Sequence, residues 1–390
     1  MESRHLYRSI TTGGLKENIF GGLTRREFIG YCTALAAALG LSSSYAPKIA
    51  KALEEIPKKT PIFWIQSQVC SGCFVSFLNS SAPAPTDLIL DSISIRFSPN
   101  LQTVSGDLAL DTLDAGLNEL GKHYVLIVEG AVPLKEGGSF AHYGYKNGQK
   151  GSILNWVRKM AAKAELIVAL GTCASFGGIP ASGKTGAKSL KTVLDSSLVE
   201  SALVDIPGCP PHPDWLVGTL VKLELFGKEE VLKNLDQHRR PKDFYGELVH
   251  DQCPRRHFFE AGKFTSDWND PTQAGYCLFK KGCKGPVTRA DCPVRQWNGG
   301  LSWCVEVNHP CIGCTEPQFY QDLSPLYESL PDVSLLGQRL RPETIGKVLG
   351  AATAIGIGGH LMEMVATGKL PKRDQKPKKP TDLSSDQSDD

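Results

Sequence analysis

The chain has 390 residues, 43 Lys and Arg against 41 Asp and Glu, and a formal net charge of +2. Its length exceeds what one hydrophobic core sustains, so at least two domains are expected. The near balance of charge excludes a global field directed at nucleic acid or acidic substrates, and any partner must be chosen by local features.

Residues 1–50 read as an export signal. LTRREFIGYCTALAAALGLSSSYAPKIA carries the pair Arg25 and Arg26, then Phe28, an apolar run through Leu41, and small residues before Pro47. This is the pattern of a paired-arginine signal peptide, and its Ala-rich stretch is too short to span a bilayer as an ordinary helix. Such a route exports proteins already folded, as a chain loaded with a cofactor inside the cell requires. A cofactor is therefore expected.

From about residue 60 short apolar runs alternate with helical stretches. PIFWIQ (61–66), LILDSISIRF (88–97), YVLIVEG (124–130), ELIVALG (165–171) and ALVDIPG (202–208) predict strands, while SILNWVRKMAAKA (152–164) and HPDWLVGTLVKLELF (212–226) have helical apolar spacing. This alternation implies an α/β fold with a mostly parallel sheet covered on both faces. Three of the strands run directly into cysteines. In open α/β sheets, ligands sit beyond the carboxyl ends of strands at a topological switch point, so Cys70, Cys73, Cys173 and Cys209 are expected to converge.

Beyond about residue 230 the alternation stops. The stretch 236–330 is rich in Gly, Pro, Cys and basic residues and has few long apolar runs, so something besides a conventional core is expected to hold it. Farther on, TIGKVLGAATAIGIGGHLMEMVATG (344–368) has the length of a membrane span or of a surface helix. Lys347, His360 and Glu363 count against a span, since a charge near mid-bilayer costs about 2.5–3.5 kcal/mol. The tail 369–390 is charged, low in complexity and expected to be disordered.

Of twelve cysteines, Cys32 lies in the signal, leaving eleven, an odd number that argues against complete disulfide pairing. They fall into three groups: the four at strand ends; Cys253, Cys277 and Cys283; and Cys292, Cys304, Cys311 and Cys314. His250, three residues before Cys253, completes the second group, giving three sets of four ligands. Four-iron four-sulfur clusters need four protein ligands each, with imidazole a documented replacement. Sets of four Cys, or of three Cys and one His, also suit structural zinc, and C-x-x-C alone fits a redox pair. A zinc- or disulfide-stabilised periplasmic binding protein without redox clusters is the alternative.

TRREFIG, CSGC, VEGAVP, GTCASFGG, PGCPPHPDW, HDQCPRR, GCKGP, ADC and HPCIGC occur in this order, and with them the chain resembles the small subunit of a nickel-iron hydrogenase over nearly its whole length. The resemblance implies a flavodoxin-like N-terminal domain (58–232) with a proximal cluster and an irregular iron-sulfur domain (233–335) with medial and distal clusters. A membrane-anchoring helix (343–368) and the tail (369–390) would follow. By resemblance, Cys70, Cys73, Cys173 and Cys209 bind the proximal 4Fe-4S cluster, His250, Cys253, Cys277 and Cys283 the distal one, and Cys292, Cys304, Cys311 and Cys314 the medial one. The related quinone-reductase subunit with a single cluster lacks these eight C-terminal ligands.

Two positions, Cys304 and Val75, depart from many members of that family, and two more, Gly72 and Gly178, bear on oxygen tolerance. Cys304 replaces a proline associated with a three-iron medial cluster, so a full medial cubane is expected, with 3Fe-4S the outcome if Cys304 is not a ligand. Val75 replaces a glutamate, as in the selenium-containing branch. Gly72 and Gly178 stand where oxygen-tolerant members carry extra cysteines, so an ordinary proximal cubane is expected. By the same resemblance H2 is split at a nickel-iron centre in a separate large subunit, and this chain has no catalytic residue of its own. Its expected role is to relay electrons to an external cytochrome or ferredoxin-like acceptor on the periplasmic side, at the membrane. Arg255, Arg256, Lys280 and Lys281 either guide an acidic or haem-bearing acceptor or form a solvated rim.

Overall fold

The computed structural model describes Gly30, Cys32, Thr33, Ala36, Pro85 and residues 42–49, 60–81, 93–146, 149–320, 333–335 and 338–340. The paired arginines and the 343–368 segment lie outside the described residues. Five strands carry the first half of the chain: β1 (Thr60–Gln66), β2 (Ile93–Phe97), β3 (Val125–Glu129), β4 (Leu166–Leu170) and β5 (Leu203–Ile206). They form one parallel sheet in the order β2-β1-β3-β4-β5. This is the flavodoxin-like order, and its switch point lies between β1 and β3.

The strands are apolar on both faces because both faces are covered. Phe63, Ile65, Leu126, Val128, Ile167 and Ala169 meet the helices α2 (Gly106–Leu120) and α3 (Ile153–Ala161). The alternate residues Ile62, Trp64, Ile127, Val168 and Val204 meet α5 (Pro213–Lys233) through Trp215, Leu216, Leu220 and Leu223. Side chains on a strand alternate with period two, and continuous apolar runs serve both layers. Two one-turn helices complete this half: α1 (Gly72–Phe77) follows β1, and α4 (Gly171–Phe176) follows β4 directly.

The segment beyond α5 does share a hydrophobic core, contrary to the expectation from its composition. Phe244, Tyr245, Val249, Leu278, Ala290, Trp303 and Val305 join the same buried cluster as Trp215 and Trp64. It does not build a core of its own; it completes the uncovered side of α5. Trp215 is the pivot, with its ring 4.9 Å from Tyr245 and its indole N–H donating to Asp291 at 2.8 Å. The chain divides into two compact units, Met1–Tyr327 and Glu328–Asp390, so both cysteine-rich halves fall within one.

Among the described residues of the expected signal segment, Cys32, Ala36, Ala46 and Ile49 are buried in a small cluster with Leu225. No helix among the described residues is long and apolar enough to cross a membrane.

Candidate metal centres

Three groups of residues, eleven cysteines and His250, stand in series. In the first, β1 ends at Gln66 and the chain turns through Cys70 into α1, whose second residue is Cys73. Cys173 sits inside α4, immediately beyond β4, and Cys209 three residues beyond β5. Parallel topology puts all these strand ends on one edge. The thiols sense one another there: burial, then Glu129, then Cys173, Cys209 and Cys70 push the Cys73 thiol well up. Burial, then Cys209 and Cys70, push Cys173 up to about 12.

Glycine makes this convergence possible. Gly171 has φ +84°, and a Cβ there would lie 2.5 Å from the Cys73 sulfur. A side chain at this position would be both strained and in collision with the Cys73 sulfur. Gly72 and Gly178 are also tight: their Cβ atoms would stand 3.1 Å from the Cys70 sulfur and 3.0 Å from the Cys173 sulfur.

The second set is Cys292, Cys304, Cys311 and Cys314. Burial pushes Cys292 well up, and Cys314, Cys311, Asp291 and Cys304 add to the shift. Cys304 is thus grouped with the other three despite lying at the surface. The third set lines one cavity, where His250, Cys253, Cys277 and Cys283 meet with Val249, Leu278, Trp303 and Val305 around them. His250 packs edge-on against Phe259 at 4.6 Å. Backbone N–H groups two residues on turn back to the sulfurs of Cys253, Cys277 and Cys311, from Arg255, Phe279 and Gly313 respectively.

The sets are joined by backbone. The Cys209 N–H donates to the Cys314 sulfur, and the Thr172 hydroxyl donates to the Cys314 carbonyl while accepting from the Gly208 N–H at 2.9 Å. On the other side, Cys283 lies close enough to raise both Cys304 and Cys311, and the Lys284 N–H donates to the Cys311 carbonyl at 2.7 Å. The order in space is therefore first set, second set, third set.

All twelve cysteines are free thiols, so no disulfide holds these loops. Among the described residues no three His, Cys, Asp or Glu side chains gather tightly enough for a single ion. Metal ligation requires thiolate, and burial opposes thiolate unless cationic charge arrives with it. Convergent, largely desolvated thiols of this kind suit a polycationic centre.

Comparison with known proteins agrees with this chemistry. The family profile for the C-terminal part of the NiFe/NiFeSe hydrogenase small subunit matches residues 245–327, and that of the NADH ubiquinone oxidoreductase 20 Kd subunit matches 70–223. The periplasmic [NiFeSe] hydrogenase small subunit of Desulfomicrobium baculatum is 40% identical over 315 residues, covering 78% of this chain and 98% of that protein. The chain belongs to the nickel-iron hydrogenase small-subunit family. The uptake hydrogenase small subunit of Azotobacter vinelandii is 35% identical, over 87% of this chain and 92% of its own length. The recombinant [NiFeSe] hydrogenase of Desulfovibrio vulgaris Hildenborough matches with TM-score 0.65 and 37% identity, covering 70% of this chain and 99% of its own.

The twelve residues singled out from the small-subunit motifs are those that the fold brings into three sets. Two more were missed. Glu129, fully buried at the end of β3, accepts hydrogen bonds from four groups around Cys73, and a lone acid closing the apolar run VLIVE was the signal for it. Thr172 joins the first and second sets, and nothing in GTC distinguishes it from an ordinary turn residue.

Proposed function

We propose that this chain is the electron-relaying member of a heterodimeric hydrogenase and holds three 4Fe-4S clusters. Cys70, Cys73, Cys173 and Cys209 would hold the proximal one, Cys292, Cys304, Cys311 and Cys314 the medial one, and His250, Cys253, Cys277 and Cys283 the distal one. The reaction it serves is H2 → 2 H+ + 2 e−, run at the nickel-iron centre of a large subunit, from which electrons leave singly. When bound, such clusters accept and release one electron at a time, at potentials set by ligand type, hydrogen bonds and burial.

The observation that carries this reading is the serial arrangement: Thr172 ties Gly208, beside Cys209, to Cys314, and the Lys284 N–H, next to Cys283, donates to the Cys311 carbonyl at 2.7 Å. The protein also supplies what tunes a relay. N–H donors reach the sulfurs of Cys253, Cys277, Cys311 and Cys314, and a hydrogen bond to a thiolate stabilises the more reduced state. His250 offers a neutral ligand to the third set, which favours reduction relative to four thiolates.

The large subunit belongs against the first set, where Cys70 and Cys209 are exposed beside Val75 and Leu78. A cytochrome or ferredoxin-like acceptor belongs at the third set. Export by the paired-arginine route and attachment through 343–368 would put the complex on the periplasmic side of the membrane.

The test is an EPR-monitored redox titration of the purified heterodimer with metal analysis. About twelve irons per chain and three cubane signals are expected. A folded, colourless, iron-free complex, or stoichiometric zinc, refutes the relay, and a three-iron signal in the intact protein refutes the medial assignment.

A further inference from the structure

Glu129 ends β3 at the switch point of the sheet, directly opposite Gln66 in the β1–β3 register, and is fully buried. Its Oε1 accepts the backbone N–H of Cys73 at 3.1 Å and of Phe74 at 3.2 Å. Its Oε2 accepts the Trp64 indole N–H at 3.0 Å and the Gln66 amide at 2.9 Å. Every partner is a donor. Two backbone N–H groups, an indole N–H and an amide fill both oxygens, a set of bonds that a carboxylate accepts in full. The contrast with other buried acids is sharp: Asp205 and Glu224 each leave an oxygen without a partner.

We propose that Glu129 is a positioning residue of the proximal site, which pins the Cys73 turn and keeps a fixed negative charge beside the ligand sulfurs, holding that site's reduction potential down. The proposal rests on the reading of Cys70, Cys73, Cys173 and Cys209 as ligands of a redox centre. Two links support it. One oxygen of the carboxyl takes two successive backbone N–H groups of the Cys73 turn, which sets its charge directly against that ligand. The turn that it pins is tied at its far side as well, since the Ser76 hydroxyl donates to the Pro211 carbonyl at 2.6 Å, two residues past Cys209. An anion in a low-dielectric site opposes the arrival of an electron nearby. Its donors offset part of that charge, so losing a donor strengthens the effect.

The test compares the unaltered heterodimer with Glu129→Gln and Gln66→Leu, reading the proximal midpoint potential by EPR separately from the other two clusters. Glu129→Gln removes the charge and is expected to shift the proximal midpoint upward. Gln66→Leu keeps the charge, removes one donor and is expected to shift it downward. Medial and distal midpoints stay where they are in both. Opposite shifts are not produced by a purely structural role, so an unchanged midpoint in both variants, or shifts in the same direction, overturns the proposal. If Glu129→Gln loses the proximal cluster, Gln66→Leu decides alone: a downward shift supports the proposal and no shift overturns it. Absence of a proximal cluster from the unaltered heterodimer refutes the ligand reading, and with it this proposal, before any variant is made.

Discussion

Cys304 and Glu224 show how a single side chain sets a measurable property. Cys304 follows the buried Trp303 and accepts the His309 N–H on its carbonyl at 2.8 Å, which leaves its sulfur among Cys292, Cys311 and Cys314. On the proposed ligand set, replacing it by alanine removes one of four thiolates. Cys304→Ala is expected to give a three-iron EPR signal and a higher medial potential in the oxidised heterodimer, and an unaltered spectrum would remove Cys304 from the ligand set. Glu224 is an inward-facing carboxyl on α5 whose Oε1 has no partner, and burial raises its pKa from 4.5 to about 7. A carboxyl raised in the folded state favours folding below its unfolded pKa, and the contribution is lost as pH rises through about 7. Glu224→Gln should therefore match the unaltered protein in thermal unfolding near pH 4.5 and exceed it at pH 8, by up to roughly 2–3 kcal/mol. Equal melting at pH 8 would contradict this.

The elements that matter are short turns at strand ends and the straps between them. The Cys311–Cys314 turn is strapped to the segment after α5 by Arg240, which is almost wholly buried. Its guanidinium donates to Asp236 at 2.8 Å, Glu316 at 2.9 Å and the Thr315 carbonyl at 3.0 Å. Glu316 in turn accepts the Arg289 N–H at 2.6 Å. Removing one partner of a buried pair leaves uncompensated charge and costs about 3–5 kcal/mol. Arg240→Met is expected to lower the unfolding midpoint by a corresponding amount and to speed iron release from the medial site, measured with a chelator; release at the unaltered rate would mean that the strap is not what holds this turn. The strands and helices of the first half were legible because burial on both faces forces continuous apolar runs, and YVLIVEG and ELIVALG contain little else. The core contribution of the second half was not legible, because Val249, Leu278, Ala290 and Trp303 fall in short, unevenly spaced apolar pieces, with no period to reveal a shared face.

Across the described residues of the first unit, the three groups run from the sheet edge to the His250 cavity, and in the proposed relay their two ends set the direction of electron flow. One end exposes Cys70 and Cys209; the other places His250 beside an aromatic group of Phe259, Phe264 and Phe279. His250→Ala is expected to slow H2 oxidation coupled to the natural acceptor several-fold while leaving hydrogen–deuterium exchange by the heterodimer unchanged. An unchanged acceptor-linked rate would move the exit elsewhere. For the segment 343–368, truncation after residue 340 is expected to release the complex from membranes on sedimentation, and continued co-sedimentation would assign attachment to another subunit.

The sequence by itself determined the family, through the order of its motifs, and singled out the cysteines and His250 as candidates for the chemistry. It also determined the parallel sheet, whose doubly buried strands leave an unmistakable apolar record. Only the tertiary structure decided how the sets join, through Cys209 to Cys314 and Cys283 to the second set, and that Glu129 faces the Cys73 turn. These are contacts between segments far apart in the chain. Their geometry is imposed by the crossing of strands and loops at one sheet edge, and no local pattern of residues records it.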